Sequence, residues 1–104
     1  MLRVVSAILV STLLLTCAVR LHADDLDQNE ARRAVERGEL RPLAEILAAV
    51  RKEFGGKVLD VELEREDSGA LVYEIEVLAD DGRVLEVEYD GRTGRRLSLE
   101  QEDD

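Results

Sequence analysis

From Val58 to Leu97 the chain alternates. Leu59, Val61 and Leu63 interleave with Asp60, Glu62 and Glu64; Leu71, Tyr73, Ile75 and Val77 interleave with Val72, Glu74 and Glu76; Leu85, Val87 and Tyr89 interleave with Glu86 and Glu88. A two-residue period places the first-named residues of each segment on one face of a strand and the intervening ones, acidic except Val72, on the other. The links Asp67-Ser68-Gly69 and Asp80-Asp81-Gly82 are short and turn-like, so successive strands are expected to pair antiparallel as a meander. After Asp90, residues 91–94 turn the chain again, and Arg95 to Leu99 is read as a short fourth strand that reaches the core through Leu97.

Ahead of the strands the period changes. Leu43, Ile46, Leu47, Val50 and Phe54 fall on one face of a helix; Pro42 suits its first position, and Gly55-Gly56 stops it. A shorter helix is predicted from the Asp27-to-Glu30 capping-box spacing to about Arg37, with Ala31, Ala34 and Val35 as its apolar stripe and Gly38 ending it. Such a helix is marginal alone, so it must lean on the rest of the domain or fray. The fold class is therefore α+β: a helix packed on one face of a three- to four-stranded antiparallel meander sheet, preceded by a short N-terminal helix. Its core is modest, which predicts limited stability or support from a partner or a homodimer.

Residues 1–23 read as an address. Arg3 is followed by an apolar run from Val4 to Leu15 and then by Leu21-His22-Ala23, the layout of a secretory signal peptide. The run is too short to span a bilayer stably. Cleavage is expected after Ala23, with Ala18 as the other small residue that fits, and lipid attachment at Cys17 as the less favoured route. This divides the chain into a signal peptide (1–23), a polar helical lead-in (24–39), the helix-and-sheet domain (40–99) and an acidic tail (100–104) expected to fray. No stable membrane span remains, and the mature protein is expected to be periplasmic or secreted.

Cleavage sharpens the charge. The whole chain carries 14 basic and 24 acidic residues, for a net charge of −10. Losing Arg3 and Arg20 takes the mature form to −12, and His22 and Cys17 leave with them. Disulfides, thiolate and imidazole catalysis and Cys/His zinc sites leave as well. So acidic a chain repels phosphates, which argues against nucleic-acid binding. Paired carboxylates can serve as acid and base only where one is desolvated in a cleft. Here they fall on solvent faces, turns and tails, so no catalytic residue, metal or cofactor is assigned. Asp25, Asp27, Asn29 and Glu36 have the first, third, fifth and twelfth positions of a calcium loop, but Glu30 stands where that loop needs glycine, and the capping box is preferred.

Glu62, Glu64, Glu74, Glu76, Glu86 and Glu88 put two carboxylates on each of three neighbouring strands. They are the candidate partner-binding residues, either docking a basic surface or holding a cation diffusely. The plainer reading is a solvated face that keeps a small sheet soluble, with Arg65 and Arg83 neutralising part of it. Tyr73 and Tyr89 belong to the apolar face, with hydroxyls at its rim.

From about Leu43 to Leu97 the chain resembles the PepSY domain. The resemblance rests on Gly56-Lys57-Val58, the run from Val72 to Val77, Asp81-Gly82 and the closing run from Asp90 to Gly94. It implies a small extracytoplasmic module of the stand-alone kind, which restrains or modulates a peptidase or an envelope sensor protein by contact. No protease domain follows in this sequence, so a propeptide role in cis is not expected. The family supplies no catalytic residues to carry over. Its recurring positions here are structural: Tyr73 on the central strand, Asp90 and Thr93 bonding local backbone, and Gly94 in a left-handed conformation.

Overall fold

The computed structural model describes residues 26–102. The signal peptide, its cleavage sites and Cys17 lie outside them. Two helices, α1 (Gln28–Glu36) and α2 (Leu43–Phe54), precede four strands: β1 (Lys57–Arg65), β2 (Leu71–Leu78), β3 (Val84–Asp90) and β4 (Arg96–Gln101). The strands form one antiparallel sheet in the order β1-β2-β3-β4, the meander that the short turns demand.

Both helices pack on one face of the sheet. Ile46 and Val50 of α2 join Tyr73, Ile75, Val77, Leu85, Val87 and Tyr89 in a single buried cluster, flanked by half-buried Leu43, Leu47 and Phe54. Burying each large apolar side chain contributes about 1.5–3 kcal/mol, so this cluster is the principal source of stability. α1 leans on it: Ala34 is buried, and Ala31 and Val35 pack beside it. At its N-terminus Asp27 Oδ1 accepts the Glu30 amide at 2.8 Å. Pro42 is the residue just before the first turn of α2, one place earlier than the sequence suggested.

The edge strands depart from simple alternation. A bulge between Val58 and Asp60 leaves Leu59 as the extra residue of β1, so Val58 packs inward opposite Val77. Leu59, expected in the core, is instead 44% exposed. In β4 a second irregularity pairs Ser98 with Glu88 but Arg96 with Tyr89, which leaves Leu97 over. Leu97 is 50% exposed and also falls outside the core it was expected to join. A bulge turns one residue out of the pleat and twists the strand, and both strands can do so because each has a free side. The fourth strand is longer than expected. Glu100 and Gln101 pair with Glu86 and Leu85, and the Glu102 amide donates to the Val84 carbonyl at 2.9 Å, so the fraying expected from residue 100 does not begin there.

Candidate functional site

Register decides what the acidic face looks like. Asp60, Glu76, Glu86 and Glu100 line up in one row across all four strands, and Glu62, Glu74 and Glu88 form the next, ending at Ser98. Glu64 sits beside Val72, which is paired on its other side with Asp90. The six glutamates singled out from sequence thus share one face, opposite the helices. Asp60 and Glu100 extend it and are missed as site residues: the alternation already put Asp60 on this face but only the glutamates were singled out, and Glu100 was assigned to the tail. The six are half-buried rather than fully solvated, because carboxylates on adjacent strands shield one another.

Like charges directly opposite one another repel. The strain shows in Glu74, whose carboxyl is pushed up to about 8, first by a hydrogen bond with Glu86, then by burial, then by the charges of Glu86, Glu64 and Glu62. Glu86 stands diagonally from Glu74, in the neighbouring row, so their hydrogen bond links the two rows. Glu76 is also raised, by burial and then by Glu102 and Asp60. The Ser98 hydroxyl donates to Glu88 Oε2 at 3.1 Å. Carboxylate oxygens of Glu62, Glu64 and Glu74 lie within 4.8 Å of one another. Arg83, expected to soften this field, instead donates to Asp81 within its own turn at 2.6 Å. Arg65 stands at the far end of β1, beside the hairpin turn.

The four residues singled out as structural lie at the other end of the sheet's chemistry. Asp90 Oδ1 accepts the amides of Arg92 and Thr93 at 2.8 and 2.9 Å, and the bond from Thr93 leads in holding its carboxyl below the usual range. Thr93 Oγ1 accepts the Arg95 amide at 3.2 Å, and Gly94, at φ 75°, closes the turn by donating to the Asp90 carbonyl at 2.8 Å. The turn serves as an anchor for the linker between the helices. The Arg41 amide donates to the Gly91 carbonyl at 2.6 Å, and the Tyr73 hydroxyl donates to the Arg41 carbonyl at 2.7 Å. Leu40 is buried in the same place, and a Cβ on Gly91 would come within 2.7 Å of it, so only glycine lets the linker dock. Sequence reasoning missed Leu40 and Arg41. Their single apolar residue between charges gives no period to read. Tyr89 is paired with Tyr73 across the strands, yet its buried hydroxyl has no hydrogen-bond partner among the described residues.

The architecture is a helix-backed antiparallel sheet with one acidic face and a turn occupied in holding a linker. The PepSY family, described as peptidase propeptide and YPEB domain, matches residues 42–100, and the chain belongs to it. PepSY domains are generally non-catalytic inhibitory or propeptide modules, typically extracellular or periplasmic, and commonly interact with peptidases. No curated protein and no solved structure matches the chain. Among the described residues no helix is long and apolar enough to cross a membrane.

Proposed function

We propose that this chain is a non-enzymatic extracytoplasmic module that modulates a peptidase or an envelope sensor protein by direct contact, through its acidic sheet face. The observation that carries the reading is the register: three to four carboxylates per row on a face that neither helix covers. Held on strands, they present a fixed negative surface whose mutual repulsion is relieved when a basic partner surface docks. Contact by strand addition is less favoured, because both free edges carry bulges that twist them away from a continuous ladder.

The test adds the purified mature protein to secreted peptidases and to sensor ectodomains, and measures peptidase activity and complex formation. The expected result is a complex that weakens with salt and is lost on Glu76→Lys with Glu86→Lys. Unchanged activity and no complex at high excess would remove the reading. A second reading, cation binding, is favoured by the three carboxylates within 4.8 Å. Calorimetry with calcium and transition metals separates the two, since a cation site gives heat and a raised Tm without any partner.

A further inference from the structure

A second concavity lies at the end of the sheet where α1 meets the β1–β2 and β3–β4 turns, with a volume of about 810 Å³. That is within the range of sites that enclose a ligand. Its rim carries four arginines: Arg33 and Arg37 from α1 and its C-cap, Arg65 from the end of β1, and Arg92 from the turn after β3. Gathering four guanidiniums around one cavity runs against the net charge of −10 on the whole chain.

Two of the carboxylates nearby are already engaged, one of them by a rim arginine. Asp90 is engaged by the amides of its own turn, and Glu39 pairs with Arg37 at 3.2 Å. Glu30 stands in the first turn of α1. The ion pairs among the described residues join Arg37 to Glu39, Arg41 to Glu45, Arg83 to Asp81 and Arg96 to Glu53; Arg33 and Arg65 take part in none of them. Arg92 adds to the field at Asp90 without pairing with it. Leu26, Ala34 and Leu71 give the wall an apolar patch, beside the β1–β2 turn with Ser68.

We propose that this cavity binds an acidic peptide segment of a partner protein, its carboxylates received by Arg33 and Arg65 and an apolar side chain set against Leu26 and Leu71. A guanidinium fork matches a carboxylate in two parallel hydrogen bonds, and is worth most where it has no internal partner. A compact, highly charged anion fits less well. The C-terminal end of α1 lies at the cavity through Arg37 and Gly38, and brings the negative end of its dipole there. The apolar patch would also be left unused by such an anion.

The site is separate from the acidic face and opposite in charge, so each can fail alone. The experiment measures fluorescence anisotropy of a labelled hexapeptide alternating leucine and glutamate, titrated with the mature protein. Versions carrying glutamine or lysine in place of glutamate are run beside it. Arg33→Glu with Arg65→Glu is expected to weaken binding by about tenfold or more. Lys52→Glu with Lys57→Glu, the same charge change in the last turn of α2 and at the start of β1, is expected to change it by less than about twofold. Should the reversal unfold the chain by circular dichroism, Arg33→Gln with Arg65→Gln replaces it, with the same direction expected. The proposal is overturned by any of four results: no binding, equal binding of the glutamine peptide, equal loss in both double variants, or displacement by inorganic phosphate as effective as by unlabelled peptide.

Discussion

The two central strands and the two edge strands obey different rules in this sheet. In β2 and β3 the packed face is buried residue by residue, with Ile75, Val77 and Val87 at 0% exposure and Leu85 at 1%. In β1 and β4 the same kind of sequence produces bulges, and leaves Leu59, Leu97 and Leu99 at 44%, 50% and 45% exposed. A central strand is held by ladders on both sides, so slipping one residue would turn its whole apolar set into water. An edge strand has one ladder and can drop a residue out of register locally. Apolar content alone therefore overstates what the edges contribute. The largest test of this contrast is a pair of truncations. Ile75→Ala is expected to cost about 2–5 kcal/mol, and Leu97→Ala to stay within about 0.5 kcal/mol, read by urea unfolding. Similar costs would mean that β4 is packed after all.

Even within the central pair, position on the strand does not settle the energetics. Tyr73 and Tyr89 face one another across β2 and β3, both buried, but only Tyr73 has a hydrogen-bond acceptor, the Arg41 carbonyl. Tyr73→Phe is expected to cost about 0.5–1.5 kcal/mol and to loosen the linker, while Tyr89→Phe is expected to be neutral or stabilising by up to about 1 kcal/mol. Thermal denaturation of the two variants checks the sign. Destabilisation by both would show that the Tyr89 hydroxyl has found a partner in solution.

The outer face sharpens the contrast in the other direction, because there the central strands carry the cost. Glu74 is held near 8 when folded against 4.5 when unfolded. The folded state therefore keeps a proton that the unfolded chain has lost, and stability falls as pH rises from about 4.5 to about 8. Asp81 and Asp90 act oppositely. Their carboxyls are lowered by backbone bonds, so the stability they contribute is lost as pH falls below about 3.8. Tm is expected to peak near pH 4, between the two windows. Glu74→Gln should flatten the alkaline limb and stabilise the protein at pH 8 by about 1 kcal/mol, a figure kept small because the side chain is only half-buried and solvent screens it. Raising salt to about 0.5 M should flatten the same limb in the wild type. A Tm that climbs steadily from pH 5 to pH 8 would contradict the proton held on Glu74.

How far the sequence reveals this follows the same division. The strand order, the packed face of β2 and β3, the helix face from Ile46 to Phe54 and the Asp27 cap are all legible, because each rests on a period or a short local motif. The gathering of Glu62, Glu64, Glu74, Glu76, Glu86 and Glu88 is legible for the same reason. The bulges at Leu59 and Leu97 are not, since a bulge consumes one residue and leaves the letters alternating on both sides. The anchor at Leu40 and Arg41 and the arginine-rimmed cavity are built from residues more than fifty positions apart, for example Arg41, whose Nε donates to the Arg92 carbonyl at 3.3 Å. No local pattern announces such a meeting. The contact of Glu74 with Glu86 runs diagonally between two rows, and only the register shows which carboxylates stand close enough to meet.

The smallest effect is also the most direct probe of register. If β1 alternated without interruption, Leu59 would point inward with Val61 and Leu63, and Val58 would face water. With the bulge the order is reversed: Val58 packs opposite Val77 while Leu59 is turned out. Leu59→Ala removes the larger side chain yet is expected to cost less than about 0.5 kcal/mol, whereas Val58→Ala is expected to cost roughly 0.8 kcal/mol for its half-buried methyls. The larger truncation giving the smaller loss is a result that apolar content cannot produce. Were Leu59→Ala the costlier of the two by chemical denaturation, β1 would run without its bulge and Val58 would lose its place opposite Val77, while Asp60, Glu62 and Glu64 would stay on the outer face.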